Sequence, residues 1–124
     1  MKRRHKPHGT ALLAIVAMMF VGGCVSAEFI RTGASYPPKP EDCEIMVFTS
    51  RLPDRDYEEI GVIEGEGTDW RSSLEDVLPE MKHKACRAGG DAIIVTESRR
   101  STFRESNDAM RIDLMATVIR WTGE

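Results

Sequence analysis

The apolar positions of this chain fall into blocks with different spacing, and each block predicts a different structure. Ala11 to Val21 is an unbroken apolar run, well short of the roughly 18 to 20 residues that a bilayer-spanning helix requires. From Val25 to Pro40 no period is sustained, and the stretch closes on Tyr36-Pro37-Pro38-Lys39-Pro40. Such a proline cluster favours polyproline II geometry at about 3.1 Å per residue, which predicts a spacer reaching up to about 50 Å. Docking of Tyr36-Pro37-Pro38 on a partner, or on the domain's own surface, is the alternative. Ile45-Met46-Val47-Phe48-Thr49 then reads as a first strand, ending near the turn-like Leu52-Pro53-Asp54. Tyr57 to Ile63 reads as a second, with Gly61 marking a bulge or close backbone approach and Glu64-Gly65-Glu66-Gly67 ending it.

Leu74, Val77, Leu78, Met81, Ala85 and Ala88 recur at three- and four-residue spacing, which predicts an amphipathic helix from Ser72 to Ala88. Ser72 and Glu75 have capping-box spacing, and Gly89-Gly90 supplies the residues that end helices. Pro79 removes a backbone donor and crowds the preceding turn, so a kink or break is expected near Leu78. Asp91 to Thr96 is a third strand, apolar on both faces as a covered interior strand should be. Arg111 to Trp121 is a fourth, with Ile112, Leu114, Ala116 and Val118 on one face. Between them Ser98 to Asp108, polar and basic except for Phe103, reads as a long hairpin loop. The order strand, strand, helix, strand, strand predicts an α+β class: a small two-layer sandwich with a four-stranded mixed sheet and one main helix. Residues 43–124 suffice for a single modest core.

The apolar run at the start acquires meaning from its flanks. Lys2, Arg3, Arg4 and Lys6 precede it, and Val21-Gly22-Gly23-Cys24 follows it at once. This arrangement resembles a bacterial lipoprotein signal, in which an aliphatic residue and two small ones precede a cysteine whose thiol takes a diacylglyceryl group. The resemblance implies cleavage after Gly23, so that residues 1–23 are a signal and Cys24 becomes the lipidated first residue. Its amine can then take a further acyl chain such as palmitate. The rival, a single transmembrane anchor with Cys24 as a bystander, fails on length. Each buried methylene contributes about 0.8 kcal/mol, so two or three acyl chains make an effectively permanent anchor. Val25 stands where an aspartate would, in enteric-type sorting, retain the protein in the inner membrane. The expected location is therefore the outer membrane, facing the periplasm, with residues 24–42 as lipidated N-terminus and proline-rich tether and residues 43–124 as the folded domain.

Removing the signal changes the charge. The chain holds 17 Lys and Arg against 20 Asp and Glu, for a net charge of −3. Four of those basic residues and none of the acidic ones lie before Cys24, which leaves 13 against 20, a net −7. No clustered basic face of the kind nucleic acid requires is present in the pattern. An acidic surface suits solubility and attracts cations or basic partners.

Tyr36-Pro37-Pro38, Tyr57-Glu58-Glu59-Ile60-Gly61 and Lys84-Ala85-Cys86-Arg87-Ala88-Gly89-Gly90-Asp91-Ala92-Ile93-Ile94 together resemble small uncharacterised bacterial lipoproteins. These are similar in pattern to the periplasmic domain of the Rcs envelope-stress sensor lipoprotein and to YbjQ-like domains. The likeness covers most of residues 36–96, and it implies a non-catalytic envelope domain. With Cys24 lipidated, Cys43 and Cys86 remain as an even pair in a compartment that permits disulfides. A bridge is reasonable if their strands run parallel and adjacent; two buried free thiols are the alternative. The Rcs-like sensor also joins helix to sheet by disulfides. His83, one helical turn before Cys86, supplies with Cys43 a conceivable zinc or copper set, a second reading of function that a disulfide would remove.

An enzyme is not expected. His83 is the only histidine after Cys24, and neither a nucleophile elbow nor a phosphate-cradling loop is present. Asp54 with Asp56, and Glu64 with Glu66, are explained by turn chemistry, and nothing implies a cofactor. The expected partners are the lipid bilayer, through acylated Cys24, and another envelope protein, for which the chain would serve in sensing or assembly. Arg99, Arg100, Phe103 and Arg104, with Tyr36 and Trp121, are the expected contact residues, because arginine and aromatic side chains are enriched at interface hot spots.

Overall fold

The computed structural model describes residues 24–102 and 110–123. Five strands and one helix follow in the order β1 (Val25–Arg31), β2 (Met46–Phe48), β3 (Tyr57–Thr68), α1 (Leu74–Arg87), β4 (Ala92–Thr102) and β5 (Met110–Trp121). A short 3₁₀ turn, Asp69–Arg71, joins β3 to α1. The strands form one mixed sheet in the order β1-β3-β5-β4-β2, in which only β2 and β4 run parallel. The α+β class holds. The sheet, however, has five strands rather than four, so the order is βββαββ.

The additional strand lies where a spacer was expected. Val25 to Arg31 pairs antiparallel with β3 from Gly67 back to Gly61, burying Ala27 on the helix side. The proline run that follows is no spacer either: Tyr36 lies under the Arg120 guanidinium at 4.1 Å, and the Lys39 N–H donates to the Cys86 carbonyl at 2.8 Å. The segment is thus docked on the domain's own surface. Among the described residues the sheet therefore includes a strand from Val25, ahead of the expected domain boundary at residue 43.

β3 runs past Ile63 because its glycines serve packing, not turning. Ile63, Gly65 and Gly67 share the helix face, and α1 lies so close that a Cβ on Gly65 would sit 2.7 Å from both Met81 Sδ and Val77 Cγ1. At Gly67 the added atom would be 2.1 Å from the Arg71 carbonyl oxygen. The expected loop from Ser98 is also largely strand: β4 pairs with β5 as far as Thr102 opposite Met110. A shift in that pairing between Val95 and Glu97 places a bulge in β4.

The helix starts one residue later than Ser72 and Glu75 suggest. Ser73 is the cap: its hydroxyl accepts from the Asp76 N–H at 3.3 Å, and the Asp76 carboxylate accepts from the Ser73 N–H at 3.2 Å. These bonds from Ser73 hold the Asp76 carboxyl below the usual aspartate range. Of the expected kink or break, the break does not occur: α1 is continuous through Pro79. Pro79 is exposed while Val77 and Met81 on either side of it are fully buried, so the turns before and after it are anchored by one apolar stripe. Gly89, at φ 82°, ends the helix in the left-handed region. The core between α1 and the sheet includes Ile60, Ile63, Val77, Met81, Ala85, Ile93, Ile112, Ala116 and Val118.

Because β2 lies parallel to β4, Cys43 and Cys86 meet at one end of the sheet. They form a disulfide, with Cα atoms 5.9 Å apart. Beside it Asp91 clasps three segments: its carboxylate accepts from Lys39 Nζ and, at 2.8 Å, from the Trp121 N–H. Lys39 Nζ also donates to the Gly90 carbonyl at 3.0 Å. Burial raises the Asp91 carboxyl, but the bonds from Lys39 and Trp121, with the charges of Lys39 and Arg120, more than offset it and leave it below the usual range.

Three outcomes follow from this architecture. Gly67→Ala should cost about 1–3 kcal/mol in urea unfolding, because its Cβ meets backbone, and Gly65→Ala should cost a similar amount, because its Cβ meets the stiff, fully buried Val77 as closely as it meets Met81. Replacing Cys43 and Cys86 together by serine should lower stability by about 4 kcal/mol on the chain-entropy model for a separation of 43 residues. Unreduced, unfolded protein should correspondingly offer neither thiol to alkylation. Asp91 titrates lower folded than unfolded, so it favours the folded state above its unfolded pKa of about 3.9, and that contribution is lost as pH falls through the folded value. Urea unfolding should therefore show stability dropping below about pH 4, and Asp91→Asn should flatten the drop.

Candidate functional site

The helix covers one face of the sheet, and the other face carries most of the charge. Side chains alternate along paired strands, so Ser26 and Glu28 of β1, Glu64 and Glu66 of β3, Asp113 and Met115 of β5, and Glu97 and Arg99 of β4 all stand on that second face. They line a shallow concavity of about 640 Å³. Five carboxylates, Glu28, Glu64, Glu66, Glu97 and Asp113, surround two guanidinium groups there.

Arg111 organises the middle of this face. Its Nε donates to both Asp113 oxygens at 3.1 and 3.0 Å, and its Nη2 reaches Asp113 Oδ1 at 2.9 Å and Glu66 Oε2 at 3.2 Å. Hydrogen bonding to Asp113 raises the Arg111 pKa; partial desolvation opposes this, and the Asp113 and Glu66 charges add to it. Arg99 is held by Glu97 at 3.0 Å. Glu28 and Glu64 stand directly opposite each other across β1 and β3, an arrangement of like charges that weakens a sheet unless a cation comes near. Among the described residues neither takes part in an ion pair. The site thus presents an acidic surface whose centre is fixed by the pairing of Arg111 with Asp113 and Glu66, suited to receiving basic groups.

The expected contact residues do not converge. Arg99 belongs to the acidic face, but Arg100, next along β4, points to the opposite face. Phe103 and Arg104 lie outside the described residues. Tyr36 is half-buried beneath Arg120, and Trp121 is half-buried with Phe48 edge-on at 6.2 Å and the Arg55 guanidinium 4.4 Å above its ring. Both aromatics therefore contribute to the domain's own packing rather than standing free. The acidic face escaped the sequence reading, because Glu64-Gly65-Glu66 resembled a turn; the alternation of charged and small residues from Glu64 through Thr68 was the available signal.

The conceivable metal set is dismantled. Cys43 and Cys86 are joined to each other, and His83, exposed on α1, lies with its Nδ1 3.7 Å from Glu80 Oε2. Among the described residues no three His, Cys, Asp or Glu side chains are grouped to hold an ion. Cys24 is a free thiol, exposed immediately before β1. Its carbonyl accepts from the Thr68 N–H at 3.0 Å, and its own N–H donates to Thr68 Oγ1 at 3.2 Å. Among the described residues no helix is long and apolar enough to cross a membrane.

No family model matches the chain, and no curated protein matches it. Among solved structures, the fold is similar to the Francisella virulence factor FvfA in its orthorhombic crystal form. The two chains are 14% identical, the match covers 76% of this chain and 96% of that one, and the TM-score is 0.52. At that identity the likeness extends to the fold alone.

Proposed function

We propose that this chain is a lipid-anchored protein of the bacterial envelope whose domain binds another envelope protein without catalysing a reaction. The observation that carries the reading is Val21-Gly22-Gly23-Cys24, placed directly before β1 with the Cys24 thiol exposed. The Cys43–Cys86 bridge is in keeping with an oxidising compartment such as the periplasm. Outer-membrane attachment rests on Val25 in the sorting position, and a role in sensing or assembly rests on the resemblance to Rcs-like and YbjQ-like lipoproteins.

The binding surface in this proposal is the acidic sheet face rather than the basic hairpin. Glu28 and Glu64, which take part in no ion pair among the described residues, complement a basic partner surface, and charge complementarity of this kind raises association rates and selects partners. A non-catalytic reading is favoured by the engagement of three carboxylates of this face, Glu66, Glu97 and Asp113, with guanidinium groups.

Cross-linking in living cells followed by affinity capture tests both parts. Wild-type protein should fractionate with membranes and capture one envelope protein; Cys24→Ser should lose the membrane fraction. Glu28→Lys combined with Glu64→Lys should stay membrane-bound and lose most of the capture. A Cys24→Ser protein that still pellets with membranes removes the lipid anchor, and undiminished capture by the charge-reversed form places the contact elsewhere.

A further inference from the structure

We propose that Trp70 is a membrane-interface contact that, together with the acyl chains on Cys24, sets how the domain stands on the bilayer. The inference rests on the lipid-anchor reading and adds what the fold says about orientation. A spacer at residues 24–42 would have left the domain free to tumble at a distance. Instead β1 begins at Val25, and Cys24 is tied by hydrogen bonds to Thr68 at the end of β3. Acyl chains at Cys24 therefore bring this end of the sheet to the lipid surface.

Trp70 lies two residues beyond Thr68, in the 3₁₀ turn Asp69–Arg71, and is 84% exposed. That is the highest exposure of any large apolar side chain among the described residues. Asp69 before it has φ 54°, a left-handed conformation uncommon outside glycine, so the backbone is bent at the residue that sends Trp70 outward. Met110, 40% exposed, begins β5 one residue before Arg111, which pairs with Thr68. Indole rings favour the boundary between headgroups and acyl chains, where the ring is buried and its N–H stays hydrated. Arg71, exposed on the same turn, is placed to meet lipid phosphate, while Asp69 offsets its charge locally. Strands rising from this end keep the acidic face to the side, turned away from an anionic surface and open to a partner. Trp121 ends β5 at the opposite end of the sheet.

Lipidated full-length protein, produced with its own signal and purified into phosphatidylethanolamine–phosphatidylglycerol vesicles, provides the test. Vesicles containing lipids brominated near the headgroup end of the acyl chain should quench part of the tryptophan emission, and that quenched, blue-shifted component should be absent in Trp70→Phe. The remaining emission, from Trp121, should be unaffected by bromine. Trp70 is on the surface, so its replacement leaves the core intact. Protein that floats with the vesicles but shows no quenching, or equal quenching in Trp70→Phe, overturns the contact and leaves the anchor standing. Wild-type protein that does not float overturns the anchor reading, and the orientation with it.

Discussion

The close approach of α1 to β3 is the constraint on which the rest of the domain depends. At Gly65 and Gly67 no side chain stands between helix and sheet, so Val77 and Met81 settle directly on the strand backbone. With the helix seated this low, its apolar stripe also reaches β1, and Ala27 is buried with it. A bulkier residue on β3 would lift the helix, open the core between Ile63 and Ile112, and leave β1 held by little more than its hydrogen bonds. In a domain of this size, where net stability is a small difference between large terms, that loss would be felt throughout.

The two ends of the sheet are held by different chemistry, and they serve different purposes. At one end, the Cys43–Cys86 bridge and the Asp91 clasp bind the proline segment, the helix terminus and β5 into one unit. This covalent and charge-assisted end compensates for a core that is modest. At the other end, Cys24 is hydrogen-bonded to Thr68, and Cys24 and Trp70 are exposed to solvent. The stapled end gives rigidity, and in the proposed function the open end gives attachment. Between them, among the described residues, no element covers the acidic face of the sheet.

Legibility in the sequence followed the range of the interaction involved. Helix α1 was readable from Leu74 to Ala88 because its apolar spacing is local, and its cap was misplaced by one residue because two serines precede an acidic turn. The pair Cys43 and Cys86 was readable by count once Cys24 was set aside. β1 was not, since Val25-Ser26-Ala27-Glu28 carries little apolar weight and is held by a strand some forty residues away. Gly65 and Gly67 were read as punctuation for the same reason: a glycine that makes room looks like one that makes a turn until the element packed on it is known.

By itself the sequence determined the elements whose cause is local: an amphipathic helix, apolar strands, a short apolar run ahead of Cys24, and a strongly acidic chain beyond it. Only the tertiary structure decided that the expected spacer is an edge strand and a docked proline segment, and that the carboxylates of β1, β3, β4 and β5 share one face. It also decided that Thr68, two residues before Trp70, is the hydrogen-bond partner of Cys24. Periodicity reports which way a side chain points within its own element, but strand pairing sets which elements are neighbours. That pairing draws its free energy from contacts between residues far apart in the chain.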